Sequence, residues 1–223
     1  MNLELKKRII TSIFLISLLL LMYFYSFILV IGLIIITIIT WVEFFALISK
    51  IFRKESIVNR FIRLILKSVS LVYLSLLVYS ILAIESNYPE FKVFIIYSIC
   101  ISIASDIGGL IVGKTLKGKK LTKISPKKTV SGSIGSFIFS LTLMVFFFNY
   151  SNYFNYFQFL QLSIITILIS LTSQLGDLFI SFLKRKANVK DTSNILPGHG
   201  GFLDRIDGII FAIPMGLLLF IFI

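Results

Sequence analysis

The chain has 223 residues, of which 57% are hydrophobic, and its mean hydropathy is +1.00. Soluble domains contain roughly 45–50% apolar residues, so this composition excludes an ordinary soluble protein and indicates an integral membrane protein. A single cysteine, Cys100, excludes an intrachain disulfide framework and a metal site built on thiolates. The net charge of +12 would suggest nucleic acid in a soluble protein, but here the basic residues flank apolar runs, so we expect no nucleic-acid partner.

Apolar runs of about 20 residues recur along the chain, which is the length that a helix needs to cross a bilayer. The first run follows the basic cluster 6–8 and continues to Ile48 without a small-residue cleavage site, so it predicts two spans rather than a cleaved leader. A turn is expected between these two spans at residues 23–26. Five further spans are predicted at residues 68–84, 91–112, 129–148, 159–183 and 208–223, the last short and kinked by Pro214.

Basic residues are distributed unevenly among the loops that these spans create. Alternating spans place 21 of the 22 Lys and Arg residues on one side and leave only Lys92 opposite, so by the positive-inside rule the basic side is cytoplasmic. The sequence therefore predicts an all-α polytopic membrane protein with about seven transmembrane helices, a cytoplasmic N-terminus and the C-terminus on the opposite side. Abundant Ile, Lys, Asn and Phe favour a bacterial source and hence the cytoplasmic (inner) membrane, with the polar segment 181–207 facing the cytoplasm.

We divide the chain into an N-terminal region of three spans, residues 1–90, and a C-terminal region, residues 91–223, which carries the segment 181–207. Ionisable side chains inside spans are candidates for function because an unpaired charge in a bilayer is costly. Glu43 is the first, although an interfacial anchor or a structural ion pair explains it almost as well. Asp106 is the second, and two glycines further along its helical face permit either a phosphate or plain helix packing.

Asp177 is the strongest of these candidates because helical spacing places Ser181, Lys184 and Arg185 along the same face. A carboxylate beside a hydroxyl is a pair of hard oxygen donors suited to Mg²⁺, although an ion pair with a lysine elsewhere would also account for Asp177. Upstream, residues 120–135 read KLTKISPKKTVSGSIG, in which a turn, hydroxyls and lysines precede a helix start that can bind an anion. Lysine-rich loops also contact anionic lipids, so the lysines alone do not distinguish a phosphate-binding site from a lipid contact.

The segment 181–207 reads SFLKRKANVKDTSNILPGHGGFLDRID and contains the only histidine, His199, and three of the ten carboxylates. Glycines flank the histidine, and Asp204 and Asp207 follow at helical spacing. Polar, irregular backbone beside a membrane is typical of a functional site. No Walker A loop and no G-x-S-x-G elbow occur in the sequence.

This pattern resembles the signature of the phosphatidate cytidylyltransferases, also called CDP-diacylglycerol synthases. Similarity extends upstream to Asp106 with its glycines, to residues 124–129 and to residues 176–178, and so covers roughly the C-terminal half of the chain. The first three spans match only in general character, with Glu43 at a position that resembles a common acidic one. The signature positions in register are Ser181, Lys184, Arg185, Lys190, Asp191, Ser193, Pro197, His199, Gly200, Gly201, Asp204, Arg205 and Asp207.

The resemblance implies transfer of the cytidylyl group of CTP to phosphatidic acid, which gives CDP-diacylglycerol and pyrophosphate. It also implies a requirement for Mg²⁺, with K⁺ as a second metal in some members, and metal ligation by Asp177, Asp204 and Ser181. The implied catalytic residues are Asp177, Ser181, Lys184, Arg185, Asp204 and Asp207. The implied substrate-binding residues are Asp106, Ser125, Lys127, Lys128, Thr129, Lys190, Asp191, His199, Gly200, Gly201 and Arg205.

Two positions depart from the family pattern, since Ser131 and Ile180 stand where many relatives have Glu, and both changes lower the local negative charge. The N-terminal region is shorter than in many relatives, so we expect a lipid entrance built from fewer helices or completed by a second subunit in a homodimer. Two other functions stay open. One is a CTP-dependent polyprenol or dolichol kinase, and the other is a non-catalytic membrane adaptor or transporter.

Overall fold

A computed structural model of the protein describes residues 3–54, 56–122, 125, 128–150, 152–154, 157–198 and 200–222. Across these ranges the chain is helical, with no β-strand and only two isolated β-bridges. Single turns of 3₁₀-helix occur at Pro89–Phe91 and Asn152–Phe154. The α-helices are α1 (Leu3–Phe24), α2 (Ser26–Ile51), α3 (Ile57–Asn87), α4 (Lys92–Leu116), α5 (Val130–Tyr150), α6 (Phe159–Lys186), α7 (Leu203–Ile206) and α8 (Ile209–Phe222).

The helices confirm the predicted all-α polytopic membrane fold. Within the described ranges, α1 to α6 are long and apolar enough to cross a membrane. The turn predicted at residues 23–26 is confirmed, because α1 ends at Phe24 and α2 begins at Ser26. The predicted seventh span corresponds to α8, whose 14 residues extend about 21 Å, less than a hydrocarbon core of roughly 30 Å. Which side of the membrane each terminus occupies stays a prediction.

The start of α3 extends well beyond its predicted span. The helix begins at Ile57, whereas the apolar run begins at Ser68. Arg60, Arg63 and Lys67 interrupt the apolar run without interrupting the helix, because Arg and Lys are good helix formers. The first turns of α3 are therefore a basic helical extension rather than a loop.

By their contacts the residues group into two compact units. The first unit comprises Met1–Pro89 and Leu183–Ile206, and the second comprises Glu90–Phe182 and Asp207–Ile223. In the first unit α2 packs against α1, α3 and the short helix α7. Most of the signature segment, Leu183–Ile206, therefore packs with the N-terminal helices. The predicted division at residue 90 concerns function rather than contacts, and it stays a prediction.

The second unit is built on the pairing of α4 with α5, and α8 packs against α4. Its core is aromatic: the Phe94 and Phe220 rings stack with centroids 4.2 Å apart, and Tyr97 is fully buried beside them. Glycines allow the close approach of α4 and α5, since a Cβ added at Gly135 would lie 2.4 Å from the Val112 Cβ. Such small-residue contacts are common where membrane helices pack closely.

Candidate active site

The segment between α6 and α7 forms a tight turn at Pro197 and Gly198. The N–H of Leu196 donates to the carbonyl oxygen of Gly200 (2.9 Å), and the N–H of Gly200 donates back to Leu196 (3.1 Å). Gly198 (φ 77°) and Gly200 (φ 84°) adopt left-handed backbone conformations that disfavour other residues. A Cβ at Gly201 would lie 1.8 Å from the Thr192 Oγ1 atom, so no side chain fits there. The turn therefore requires glycine at positions 198 and 200 for backbone conformation and at position 201 for space.

Glu43 of α2 binds this segment directly. The side chain is 2% exposed, and its carboxylate accepts four hydrogen bonds. Two come from the hydroxyls of Thr192 (2.7 Å) and Ser193 (2.5 Å). The other two come from the backbone N–H groups of Phe202 (2.9 Å) and Leu203 (2.8 Å), where α7 begins. The carboxylate therefore joins both ends of the turn to α2 and satisfies N–H groups that the start of a helix leaves unpaired.

Asp204 accepts hydrogen bonds at both carboxylate oxygens. Its Oδ1 atom accepts from the Lys184 Nζ (2.6 Å), and its Oδ2 atom accepts from the N–H groups of Thr192 (2.8 Å) and Gly201 (3.1 Å). The Thr192 hydroxyl, which has a single proton, lies 3.0 Å from Oδ2 and shares that proton with the nearer Glu43 Oε2 (2.7 Å). The Lys184 and Asp204 side chains are only 14% and 5% exposed. The pair is therefore largely removed from water, which strengthens the attraction between its charges.

Opposing influences act on the pKa of the Asp204 carboxyl. Burial alone would raise this pKa, but the hydrogen bonds from Lys184, Thr192 and Gly201, together with the Lys184 charge, hold the pKa of Asp204 below its ordinary value. Because the folded-state pKa is the lower one, ionised Asp204 stabilises the fold above the unfolded-state pKa. This stabilisation is lost as the pH falls through the folded-state value. At neutral pH the carboxylate is charged.

The start of α1 also contacts the turn. Arg8 donates from its Nε atom to the carbonyl oxygen of Gly198 (3.1 Å), and the hydroxyl of Thr11 donates to the carbonyl oxygen of Pro197 (3.0 Å). The turn is thus held by α1 on one part of its backbone and by Glu43 on its flanks. None of these contacts to α1 had a signal in the sequence, since each joins residues more than 180 positions apart.

In the second unit, the lysine loop brings Lys128 to Asp177. The N–H of Val130 donates to the carbonyl oxygen of Lys119 (3.0 Å), which closes the loop beside the start of α5. The Lys128 Nζ forms an ion pair with the Asp177 Oδ2 atom. On the other oxygen, Asp177 Oδ1 accepts a hydrogen bond from the hydroxyl of Ser181 (3.2 Å), as the helical spacing predicts. Lys128 of the loop therefore forms one polar cluster with Asp177 and Ser181 of α6.

The remaining predicted residues have varied environments. Thr129 caps α5, because its Oγ1 atom accepts from the N–H of Gly132 (3.0 Å). Asp207 is buried, and its Oδ1 atom accepts from the N–H of Gly208 (2.9 Å). Ser125 is half-buried, and its carbonyl oxygen accepts from the N–H of Lys128. The exposed ones are Asp106, Arg185, Lys190, Asp191 and Arg205. Lys127 and His199 lie outside the described residues.

The chain matches one known protein family over almost its whole length. Residues 2–223 match the family described as the cytidylyltransferase family. This chain belongs to the cytidylyltransferase family. Similar proteins include a phosphatidate cytidylyltransferase of Rickettsia bellii, 43% identical over 141 residues, which are 61% of each chain. Another, of Bacillus subtilis, is 38% identical over 130 residues, 57% of this chain and 48% of that protein.

A third relative, the phosphatidate cytidylyltransferase of Synechocystis, is 40% identical over 129 residues, which are 58% of this chain and 43% of that protein. The similarity to these three relatives thus spans roughly half of their length, between 43% and 61%. The resemblance to this group of enzymes that the signature suggested is confirmed.

The two carboxylates expected to bind a metal differ in what they offer to a cation. Asp177 and Ser181 supply oxygen atoms, the donors that Mg²⁺ prefers, and a cation there would replace the Lys128 ammonium as the positive partner. A carboxylate has about four acceptor sites, and among the described residues three donors bind Asp204 alone, with the Thr192 hydroxyl shared between Asp204 and Glu43. In the described ranges, no group of three His, Cys, Asp or Glu side chains is arranged to hold a metal ion. The donor chemistry thus fits Mg²⁺ better at Asp177 than at Asp204.

The two departures from the family pattern occupy different surroundings in the structure. Ile180 is 2% exposed on α6, so a carboxylate there would be buried. Ser131 lies in the first turn of α5, where its hydroxyl donates to the carbonyl oxygen of Lys117. Serine at this position therefore ties the start of α5 to the lysine loop.

Proposed function

We propose that the protein transfers the cytidylyl group of CTP to phosphatidic acid and releases CDP-diacylglycerol and pyrophosphate, in phospholipid biosynthesis. The observation that carries this proposal is the family match over residues 2–223, together with relatives named phosphatidate cytidylyltransferase. The polar clusters of the site support it, because a reaction between two polyanions needs lysines and carboxylates at defined positions.

In this reaction an oxygen of the phosphatidate phosphate forms a bond to the α-phosphorus of CTP. The bond between that phosphorus and the oxygen bridging to the β-phosphorus breaks, and the electron pair leaves with pyrophosphate. The attacking phosphate is already an anion, so the protein's main contribution is to position the groups and to neutralise charge.

The described lysines are suited to bind phosphate oxygens. Lys184 has three N–H donors, of which Asp204 accepts one, so the carboxylate fixes where the ammonium points. Lys128 is held in the same way by Asp177. Arg185 is exposed on the last turn of α6, and a guanidinium there can bind a phosphate with two parallel hydrogen bonds. We assign these three side chains to the phosphates of the substrates.

Mg²⁺ is part of the proposal, with K⁺ as a second metal, and Asp177 and Ser181 are the residues that would hold it, with Asp204 as the further candidate. When bound, Mg²⁺ supplies charge neutralisation for the phosphate oxygens and the leaving pyrophosphate. Glu43, the glycines and Thr192 keep the turn at Pro197 and Gly198 in place. We further place the site on the cytoplasmic side of a bacterial inner membrane, where the basic loops are predicted to lie, with a homodimer as the assembly to be tested.

The test uses purified protein, phosphatidic acid in mixed micelles, Mg²⁺ and CTP labelled at its α-phosphate. The proposal predicts that label enters the lipid and that pyrophosphate appears in equal amount. Label recovered only as CDP, with phosphate transferred to a polyprenol, would instead establish the lipid-kinase reaction. No turnover with either lipid would leave a non-catalytic role. Chelation of divalent cations should abolish the transfer, and added Mg²⁺ should restore it.

Two variants test the assignment of the site. Asp177→Ala and Asp204→Ala should each lower kcat by about 100-fold or more, as expected when a charge-stabilising group is lost. Glu90→Ala is the matched control, because Glu90 is an exposed carboxylate in the 3₁₀ turn Pro89–Phe91, far along the chain from the signature. Because Asp204 also holds the turn, the thermal stability of its variant is measured in parallel. Full activity in both variants would contradict the assignment.

A further inference from the structure

A cavity of about 420 Å³ lies between α2 and α3 within the first unit. It is formed where the last turns of α2 face the basic first turns of α3, the part of α3 that extends beyond the apolar run. The lining residues are Trp41, Phe45, Arg60, Arg63, Leu64, Lys67, Ser68 and Leu71.

One wall of the cavity is positively charged. Arg60, Arg63 and Lys67 follow one another at spacings of three and four along α3, so they lie on one helical face. Like charges at this spacing destabilise a helix, and none of the described residues that line the cavity is acidic. An anion bound in the cavity would be attracted by all three positive charges.

The opposite wall is aromatic. The Trp41 and Phe45 rings lie one turn apart on α2 with centroids 5.5 Å apart. The Lys67 ammonium sits 3.2 Å from the centre of the Phe45 ring, and the Trp41 Nε1 donates to the Lys67 carbonyl oxygen (3.2 Å). These contacts fix the position of Lys67 at the edge of the cavity.

The combination of charge and apolar surface selects the class of ligand. Leu64, Leu71 and the two aromatic rings would contact acyl chains or a glycerol backbone, whereas a free phosphate would leave them in water. Basic pockets between membrane helices bind the headgroups of anionic lipids for this reason. Tryptophan beside basic residues is also typical of the interface between hydrocarbon and headgroups.

The cavity is separate from the candidate active site. Successive residues of an α-helix are rotated by about 100°, so Trp41 and Glu43 point to nearly opposite sides of α2. Glu43 binds the signature segment, while Trp41 and Phe45 line the cavity. We propose that this cavity is a binding site for one anionic phospholipid of the surrounding bilayer, with the lipid phosphate bound by Arg60, Arg63 and Lys67.

Trp41 is the only tryptophan of the chain, so its fluorescence reports on this cavity alone. The full-length protein is placed in nanodiscs that contain brominated phosphatidylglycerol or, at the same mole fraction, brominated phosphatidylcholine. Bromine quenches tryptophan on contact, and neither lipid is a substrate of the proposed reaction. No CTP is added, so the result does not depend on whether the protein catalyses the proposed cytidylyl transfer.

The proposal predicts that half-maximal quenching needs at least about fivefold less phosphatidylglycerol than phosphatidylcholine, as expected if even one basic side chain binds the headgroup. Arg60→Gln, Arg63→Gln and Lys67→Gln combined should abolish this difference. The matched control removes three charges from the same connection outside the cavity, Lys50→Gln, Arg53→Gln and Lys54→Gln, and should preserve it.

Equal quenching by both lipids in the unmodified protein would overturn the proposal. So would a difference that persists in the cavity variant, or one that both triple variants lose equally, because that would indicate general surface charge. Circular dichroism checks that each variant is folded. If the triple variant does not fold, Arg63→Gln and Arg63→Lys replace it, and the site requires that Gln reduces the preference while Lys retains it.

Discussion

Glu43 is a carboxylate in a membrane-spanning helix that is surrounded by hydrogen-bond donors rather than by water. The four donors are two hydroxyls and two backbone N–H groups from the segment 181–207. A hydrogen bond to a charged group contributes about 1.5–3 kcal/mol, and a buried donor left without a partner costs about 1–3 kcal/mol. The geometry of the segment near Asp204 therefore depends on a residue of α2.

We predict that Glu43→Gln lowers the free energy of unfolding by roughly 2–4 kcal/mol. The glutamine amide has an NH₂ group in place of one carboxylate oxygen, so donors that now bind this oxygen would face another donor. The kcat of the labelled-CTP reaction should fall by roughly 10-fold or more, as is usual for residues that orient the groups of a site. Thermal unfolding by circular dichroism and the kinetic assay measure the two effects. Glu90→Gln, the same chemical change at an exposed position, should alter neither.

Sequence reasoning could identify Glu43 as a candidate but not its partners. An ionisable group in an apolar run is recognisable locally, whereas Phe202 and Leu203 bind it through backbone atoms that carry no sequence signal. The pairing of Asp177 with Ser181 was predictable because both residues lie on one helix at a spacing of four. The partners Lys128 and Lys184 required the folded structure, since each approaches its carboxylate from a different part of the chain.

At the scale of elements, the contact between α4 and α5 depends on the absence of side chains. An added Cβ at Gly135 would lie 2.4 Å from the Val112 Cβ and 2.8 Å from the Gly108 carbonyl oxygen. Both neighbours belong to the backbone or lie directly on it, so they cannot move without shifting a helix. This contact also carries the hydrogen bond from the Ser136 hydroxyl to the Ser105 carbonyl oxygen (2.7 Å).

We predict that Gly135→Ala destabilises the protein by about 1–3 kcal/mol, the usual cost of overpacking, although alanine favours helix elsewhere. Gly32→Ala is the matched control on α2, because the atom that its Cβ would meet is the flexible sulfur of Met22. Thermal unfolding of both variants distinguishes packing from helix propensity. A Gly135→Ala protein as stable as the Gly32→Ala protein would show that α4 and α5 separate easily.

The helix boundaries show why hydropathy finds spans better than it finds helices. The apolar runs that predicted α5 and α6 end within three residues of the observed helices. For α3 the apolar run omits the basic turns from Ile57 to Lys67, which are helical but too polar for hydrocarbon. The cavity that we assign to a phospholipid lies on this extension, so a span prediction alone could not reveal it.

At the scale of the whole molecule, the chain order does not follow the packing. Leu183–Ile206 belongs with Met1–Pro89, and the intervening residues form the second unit with Asp207–Ile223. The hydrogen bonds that join the signature segment to α1 and α2 link residues 149 to 190 positions apart. No local pattern encodes contacts of this range, whereas the number of apolar runs and their lengths follow directly from the thickness of a bilayer.

The uneven distribution of Lys and Arg predicts that the basic loops lie on the cytoplasmic side of the membrane. Single cysteines introduced in a Cys100→Ser background can test this placement. By the positive-inside rule, Lys54→Cys in the first unit and Lys119→Cys in the second should react with a membrane-impermeant thiol reagent only after bacterial cells are opened. Ser86→Cys and Tyr153→Cys, at the other ends of helices in the same units, should react in intact cells. All four native side chains are exposed, so access to the reagent depends on the side of the membrane. The unmodified protein, which has only Cys100, half-buried within α4, serves as the unreactive reference. Labelling of Lys54→Cys or Lys119→Cys in intact cells would contradict the cytoplasmic placement of the basic loops and of the nucleotide site assigned to that side.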